Sequence, residues 1–351
     1  MPQAPLVSAL RTLYSALVRY IIYGAGAVGG IIGGKLFMNG SDVILIGRGA
    51  HLEAIRRDGL RLKHPNPDAI ETLPVTAAGH PSEIEFRDGD VVLLTVKSQD
   101  TVAALDDLRL VAGDAVPVIC AQNGVENERA ALRRFRNVYA MLLIMPAEYL
   151  QPGLVETTAW PMTGACDLGR YPEGTDFLAE SVAAEIAAAG FSAGALPDVM
   201  RFKYSKLHQN MINALQAILP PDAEATDITQ KLRAETEACF AAAGIDWAPT
   251  AEMMGRMRGG GPPPAGIGSS GWRGGSMWQS IARGAGNSEV DYICGEIVML
   301  GRLHGVPTPA NEVVQLQVDR LARTRQAPGT VDIESLRAEI RRREEALGAA
   351  E

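Results

Sequence analysis

A chain of 351 residues, 47% hydrophobic and 21% charged, is long enough for two ordinary domains, each with a buried core. Its formal net charge of −8 argues against a nucleic-acid binder, which needs a basic footprint, but leaves room for a local basic pocket and a small anionic substrate. The four cysteines, Cys120, Cys166, Cys239 and Cys294, are far apart with no CxxC pair, and no apolar run reaches the length of a membrane span. Neither a metal site nor a disulfide framework is expected, and a reducing cytoplasm is the expected compartment.

Residues 1–18 are mildly apolar with Arg11 in their midst and no cleavage site, so they read as an N-terminal extension rather than a signal peptide. Residues 20–23 (YIIY) form a buried strand that runs into Gly24-Ala25-Gly26-Ala27-Val28-Gly29 and then a helix start, the context in which G-x-G-x-x-G marks a dinucleotide pyrophosphate site. Gly24 permits the tight turn, Gly26 lets backbone approach phosphate, and Gly29 lets the helix pack on the strand. The free N–H groups and dipole of the helix N-terminus favour the anion. A second strand at 42–46 (DVILI) completes a βαβ unit. NAD-specific sites place an acid at the end of that strand. Here Arg48 follows it, and a guanidinium matches a 2′-phosphate, so NADP(H) is the expected cofactor; a plain loop charge is the competing reading. A short helix at 51–57, a stop at Gly59 and a strand at 60–63 come next.

The runs 90–96 and 116–120 read as further parallel strands, ending in Lys97 and in Asn123-Gly124. Both polar residues thus fall at carboxyl ends of strands, the edge where doubly wound sheets bind ligands. A role as ordinary loop residues is the alternative. A core strand is expected at 138–144, antiparallel additions at 153–158 and 161–168, a helix at 176–189 and a final edge strand at 191–196. Together 19–196 form the first domain.

From residue 197 the pattern turns helical, and 197–327 reads as a second domain. On a helix at 199–218, Lys206, Asn210 and Asn213 share one stripe amid apolar neighbours. Buried polar groups need partners, which a bound polar substrate would supply; a solvated face is the other reading. His208 lies about 200° from Lys206 and reads as structural or exposed. A helix at 223–243 precedes the Gly/Pro/Ser-rich stretch 255–275, a long loop that could be a mobile lid or an ordinary insertion, and then Ser276. Ser288 and Glu289 open a helix, with Glu289 either a substrate contact or a first-turn carboxylate. A last helix spans 310–323, and 328–351 is a charged tail whose residues 334–351 read as a charge-dense, solvated helix.

Read together, these pieces resemble the ketopantoate reductase (2-dehydropantoate 2-reductase) family over about residues 19–325. The markers are GAGAVGG, Arg48, VKSQD around Lys97, AQNGVEN around Asn123, KLHQNMIN around Lys206, and SMWQS followed by SEVDYICG. The resemblance implies an α/β Rossmann-type dinucleotide-binding domain plus an all-α C-terminal domain of the 6-phosphogluconate dehydrogenase C-terminal type, with NADPH and substrate in the cleft between. It implies reduction of ketopantoate in pantothenate biosynthesis. Lys206 would be the general acid and Glu289 its catalytic partner, accepting a hydrogen bond from the substrate hydroxyl and helping hold Lys206 charged; Asn123, Asn210, Asn213 and Ser276 would contact the substrate, and Lys97 and Asn123 would lie near the nicotinamide end. The implied partners are a small 2-oxo acid and, for assembly, a second copy of the chain. The chain departs from the family at Asn213, seven rather than eight residues after the lysine, at Arg273-Gly274-Gly275 before the serine, at Gln279-Ser280 after it, and in a Ser276-to-Glu289 spacing about one residue longer. These changes line the substrate side. A reductase of another branched 2-oxo acid and a silent NADP(H)-binding protein are the rival readings.

Overall fold

The β-branched and aromatic run Tyr20 to Tyr23 is withdrawn from water and forms the centre of the molecule's main sheet, as expected of a strand covered on both faces. The computed structural model describes residues 18–65, 68–258 and 274–348. The expectations for residues 1–17 and for 259–273, the bulk of the Gly/Pro-rich loop, lie outside the described residues. The described chain forms two units: 18–202 with 250–258, and 203–249 with 274–348.

In the first unit, β1 (Arg19–Tyr23) pairs in parallel with β2 (Asp42–Ile46) on one side and β6 (Asp90–Leu94) on the other. Beyond them lie β5 (Thr76–Ala78), β7 (Val118–Cys120), β8 (Val138–Met141) and, antiparallel at the edge, β11 (Leu168–Arg170). The order β5-β2-β1-β6-β7-β8-β11 reverses direction between β1 and β6, which makes that junction the topological switch point. Arg19 pins the base of the switch point with two bonds to the buried Asp90 carboxylate, both 2.8 Å.

A second sheet, absent from the sequence-based expectation, has the order β4-β3-β10-β9, with β3 (Leu60–Pro65), β4 (Asp68–Leu73), β9 (Ala147–Gln151) and β10 (Leu154–Thr157). The segment 153–158 therefore extends this sheet, parallel to β3 and antiparallel to β9, not the main one. Residues 161–167 form no strand; Ala165 bridges both Ile144 and Ser192, and 191–196 is no strand either, contributing Ser192 to that bridge and Ala195 to one with Leu168. Helix α1 (Ala27–Met38) explains why a second sheet exists. Apart from Lys35 in its last turn it is apolar on every face, so it needs cover on both sides. Gly33 faces the main sheet, where an added Cβ would sit 2.7 Å from Leu45; Gly30 and Gly34 face the second, 2.8 Å from Val155 and 3.1 Å from Leu73.

The remaining helices of this unit are α2 (Gly49–Asp58), α3 (Thr101–Ala112), α4 (Asn127–Leu132) and α5 (Phe177–Ala188), the last capped by the Asp176 carboxylate accepting from the Ala179 N–H. The second unit is helical. The long helix α6 (Val199–Ile218) matches its expected span, and the division between units falls inside it, after Phe202. Next come α7 (Thr226–Ala242) and α8 (Thr250–Arg258). Helix α8 belongs by its contacts to the first unit: Arg256 forms two 2.9 Å bonds with the buried Asp167 carboxylate, and its carbonyl accepts from Ser192 Oγ. The second unit continues with α9 (Ser276–Ala282), α10 (Cys294–His304), α11 (Pro309–Thr324) and α12 (Ile333–Gly348). The expected helical tail is present, but it is docked on the other helices rather than solvated. Leu336 and Ile340, four residues apart, are both buried, and Arg337–Asp227, Lys231–Glu344 and Arg343–Glu312 pairs flank them. All four cysteines are free and buried.

Candidate functional site

The glycine turn sits at the carboxyl end of β1. Gly24 has φ +118° and presses against the end of β6, where a Cβ would come within 2.6 Å of the Val96 nitrogen. The Gly24 and Ala25 N–H groups both donate to the Ile46 carbonyl, tying the turn to the end of β2. Gly29 is as tightly seated: its Cβ would be 2.2 Å from the Gly24 oxygen and 2.4 Å from Thr95 Oγ1. Thr95, which the sequence reading overlooked, donates its hydroxyl to the Gly24 carbonyl at 2.8 Å. Gly26 differs from these. A Cβ there would meet nothing within 4 Å, so the turn opens at this residue onto free space. The first turn of α1, Ala27, Val28 and Gly29, carries no acidic side chain, and its leading N–H groups have no intrahelical acceptor. An open glycine, orphan donors and a positive helix end suit a dinucleotide pyrophosphate.

Arg48 precedes α2, with its guanidinium largely exposed and held at 2.9 Å by Asp100. Lys97 and Asn123 lie half-buried at the ends of β6 and β7. Beneath them runs a polar network that sequence reasoning missed. Gln122 Nε2 donates to the Val96 carbonyl and to Thr101 Oγ1; Thr101 donates to Asn127 Oδ1; Asn127 Nδ2 donates to Ser98 Oγ and the Asn123 carbonyl. This network fixes the two loops that present Lys97 and Asn123. Its only sequence signal was adjacency: Gln122 and Asn127 flank Asn123 at −1 and +4.

In the second unit, Asn210 is buried and accepts at 3.3 Å from Asn213 Nδ2. Asn213 in turn backs Gly275, where a Cβ would lie 3.0 Å from its amide carbon. The α6 stripe and the start of α9, with Ser276 exposed at its first position, are thus brought together. A side chain at Gly275 would press on Asn213 and push it aside by a few tenths of an ångström. Lys206 stands one turn before Asn210. The residue retains partial surface, yet burial of its amine pushes the pKa down to about 8, and burial is the one cause of that shift. Glu289 is half-buried, ahead of a 3-10 turn (Val290–Tyr292) that packs on α10 and α11. Its side chain does not cap that turn; the Ser288 hydroxyl accepts from the Val290 N–H. Nor does Glu289 contribute to the Lys206 shift. His208, on the far side of α6, is structural: buried, stacked on Trp247 at 4.7 Å and bonded to Glu237 at 3.0 Å.

Sheet order and glycine turn define a dinucleotide-binding protein of the Rossmann class. A family model described as "Ketopantoate reductase PanE/ApbA" matches residues 20–173, and its C-terminal counterpart matches 198–321. The chain belongs to the ketopantoate reductase family, and it is an oxidoreductase of the nicotinamide-dinucleotide type. It is 28% identical over 337 residues to the 2-dehydropantoate 2-reductase of Mesorhizobium japonicum, covering 87% of this chain and 98% of that protein. The match to the corresponding Pyrococcus horikoshii protein is 32% over 203 residues, 58% of this chain and 64% of its relative. The crystal structure of a PanE/ApbA family ketopantoate reductase from Ralstonia eutropha JMP134 superposes with a TM-score of 0.72 at 30% identity, covering 88% of this chain and 99% of that one.

Proposed function

We propose that the protein reduces ketopantoate to pantoate with NADPH, with Lys206 as the general acid. The observation that carries this reading is the α6 stripe, an amine at about pKa 8 one turn before the buried Asn210, whose partner Asn213 abuts Gly275, the residue before Ser276. Bound NADPH supplies a hydride for the C2 carbonyl carbon of the 2-oxo acid. As negative charge develops on the carbonyl oxygen, the Lys206 ammonium stabilises it and yields one Nζ proton to it. An acid with a pKa near the working pH is the form that transfers protons most effectively, and such help is typically worth about 10²–10⁴-fold. Asn210, Asn213 and Ser276 orient the substrate carboxylate, and Glu289 accepts a hydrogen bond from the substrate hydroxyl. On the cofactor side the glycine turn binds the pyrophosphate, Arg48 meets the 2′-phosphate, and Lys97 and Asn123 lie toward the nicotinamide end.

The deciding experiment is NADPH oxidation across a panel of 2-oxo acids that includes ketopantoate. The highest kcat/KM is expected for ketopantoate; a clear preference for another 2-oxo acid would move the substrate within the same class. No oxidation with any of them, together with tight NADPH binding, would leave a silent dinucleotide-binding protein.

A further inference from the structure

His51, in the first turn of α2, lies outside the glycine motif, yet its ring bonds to the Ala25 carbonyl inside that motif. Nε2 lies 2.6 Å from that oxygen, and Nδ1 lies 2.8 Å from the backbone nitrogen of Gly153. A backbone N–H can only donate, so Nδ1 is the acceptor and the proton sits on Nε2, which donates to Ala25. Burial favours this neutral ring. The surroundings fix the ring in place: the residue is 6% exposed, Tyr149 of β9 packs against it at 4.5 Å, and its partner Gly153, with φ +75°, is itself seated against Ala54, where a Cβ would come within 2.9 Å. Gly153 is the turn residue between β9 and β10, and β10 also touches α1 where Val155 meets Gly30.

We propose that His51 is a positioning residue for the cofactor turn: it braces the Ala25 peptide against the β9–β10 hairpin and so holds the pyrophosphate donors in their binding orientation. This makes the second sheet part of the dinucleotide-binding machinery, and it rests on the reading of the glycine turn as an NADPH site. The peptide that carries the Ala25 carbonyl also carries the Gly26 nitrogen, whose N–H donates to the Gly24 carbonyl at 2.8 Å, so this peptide is held at both ends immediately before α1. Releasing the Ala25 carbonyl frees this peptide to rotate, which shifts the start of α1 and with it the leading N–H groups of Ala27, Val28 and Gly29 that would meet the phosphate.

The test separates the two bonds. In a His51→Gln variant the ε amide nitrogen takes the place of Nε2 and keeps the donor to Ala25. In His51→Asn the δ oxygen takes the place of Nδ1 and keeps only the acceptor for Gly153. His51→Leu keeps neither. Kd for NADPH, read by fluorescence titration, is expected to rise about tenfold in the Leu and Asn variants and to return to within about threefold of wild type in Gln, one buried hydrogen bond being at stake. The loss falls on Kd and on the KM for NADPH rather than on kcat. A folded Leu variant that binds NADPH as wild type does would overturn the proposal. If Leu does not fold, equal Kd values for Gln and Asn would overturn it. A wild-type protein that binds no NADPH would instead sink the underlying reading of the turn.

Discussion

A single amine, Lys206, has its protonation set by where the helix places it. Its folded pKa of about 8 lies below the usual lysine value because burial penalises the charge. In the proposed role as general acid, its proton is present below about pH 8 and lost as pH rises through that value. We expect kcat/KM to fall on the alkaline side of about 8, and Lys206→Ala to cut kcat at least about a hundredfold while NADPH still binds. Near-normal turnover in that variant, or a profile that stays flat well into the alkaline range, would remove Lys206 from its role. Arg48 offers a second test at this scale. Its exposed guanidinium already has an anionic partner in Asp100, which a 2′-phosphate must displace or share. Arg48→Asp should weaken NADPH far more than NADH, whereas Asp100→Asn should tighten NADPH by up to about fivefold, an exposed pair being worth about 0.2–1 kcal/mol. Equal losses for both dinucleotides in the first variant would count against a phosphate grip.

Elements in this molecule are placed by their small residues as much as by their large ones. In α1 the glycines serve opposite faces, Gly29 and Gly33 toward the main sheet, Gly30 and Gly34 toward the second. Gly29→Ala forces a methyl to within 2.2 Å of the Gly24 oxygen, which must move the turn. Overpacking of this kind costs about 1–3 kcal/mol, and NADPH affinity should drop with it; a variant with wild-type melting temperature and Kd would contradict the packing account. The last helix, α12, obeys the opposite rule. Its sequence is charge-dense, but the i, i+4 pair Leu336 and Ile340 seats it among the other helices. Leu336→Ala should cost about 2–5 kcal/mol, visible as a lower melting temperature, and a neutral effect would restore the solvated-tail reading.

For the whole molecule, NADPH at about a hundred times its Kd should stabilise the fold by about 2.7 kcal/mol, and an unmoved thermal transition would argue against a preformed site. Much of this architecture was legible beforehand. The buried strands around Tyr20, Val43 and Val91, the glycine turn and the 20-residue helix carrying Lys206 all announce themselves through periods of hydrophobicity and through residues whose local geometry has few alternatives. The second sheet, the His51 brace, the Gln122–Asn127 network and the return of α8 to the first unit through Arg256 and Asp167 did not. Each depends on a partner remote in the chain: 102 residues separate His51 from Gly153, and 89 separate Arg256 from Asp167. By itself the sequence determined whatever near neighbours in the chain dictate: strand, turn, helix face and the chemistry each displays. Which distant groups share a buried hydrogen bond, and how far an amine's pKa falls, only the tertiary structure decided, because packing alone sets the separations and the solvent exclusion on which both depend.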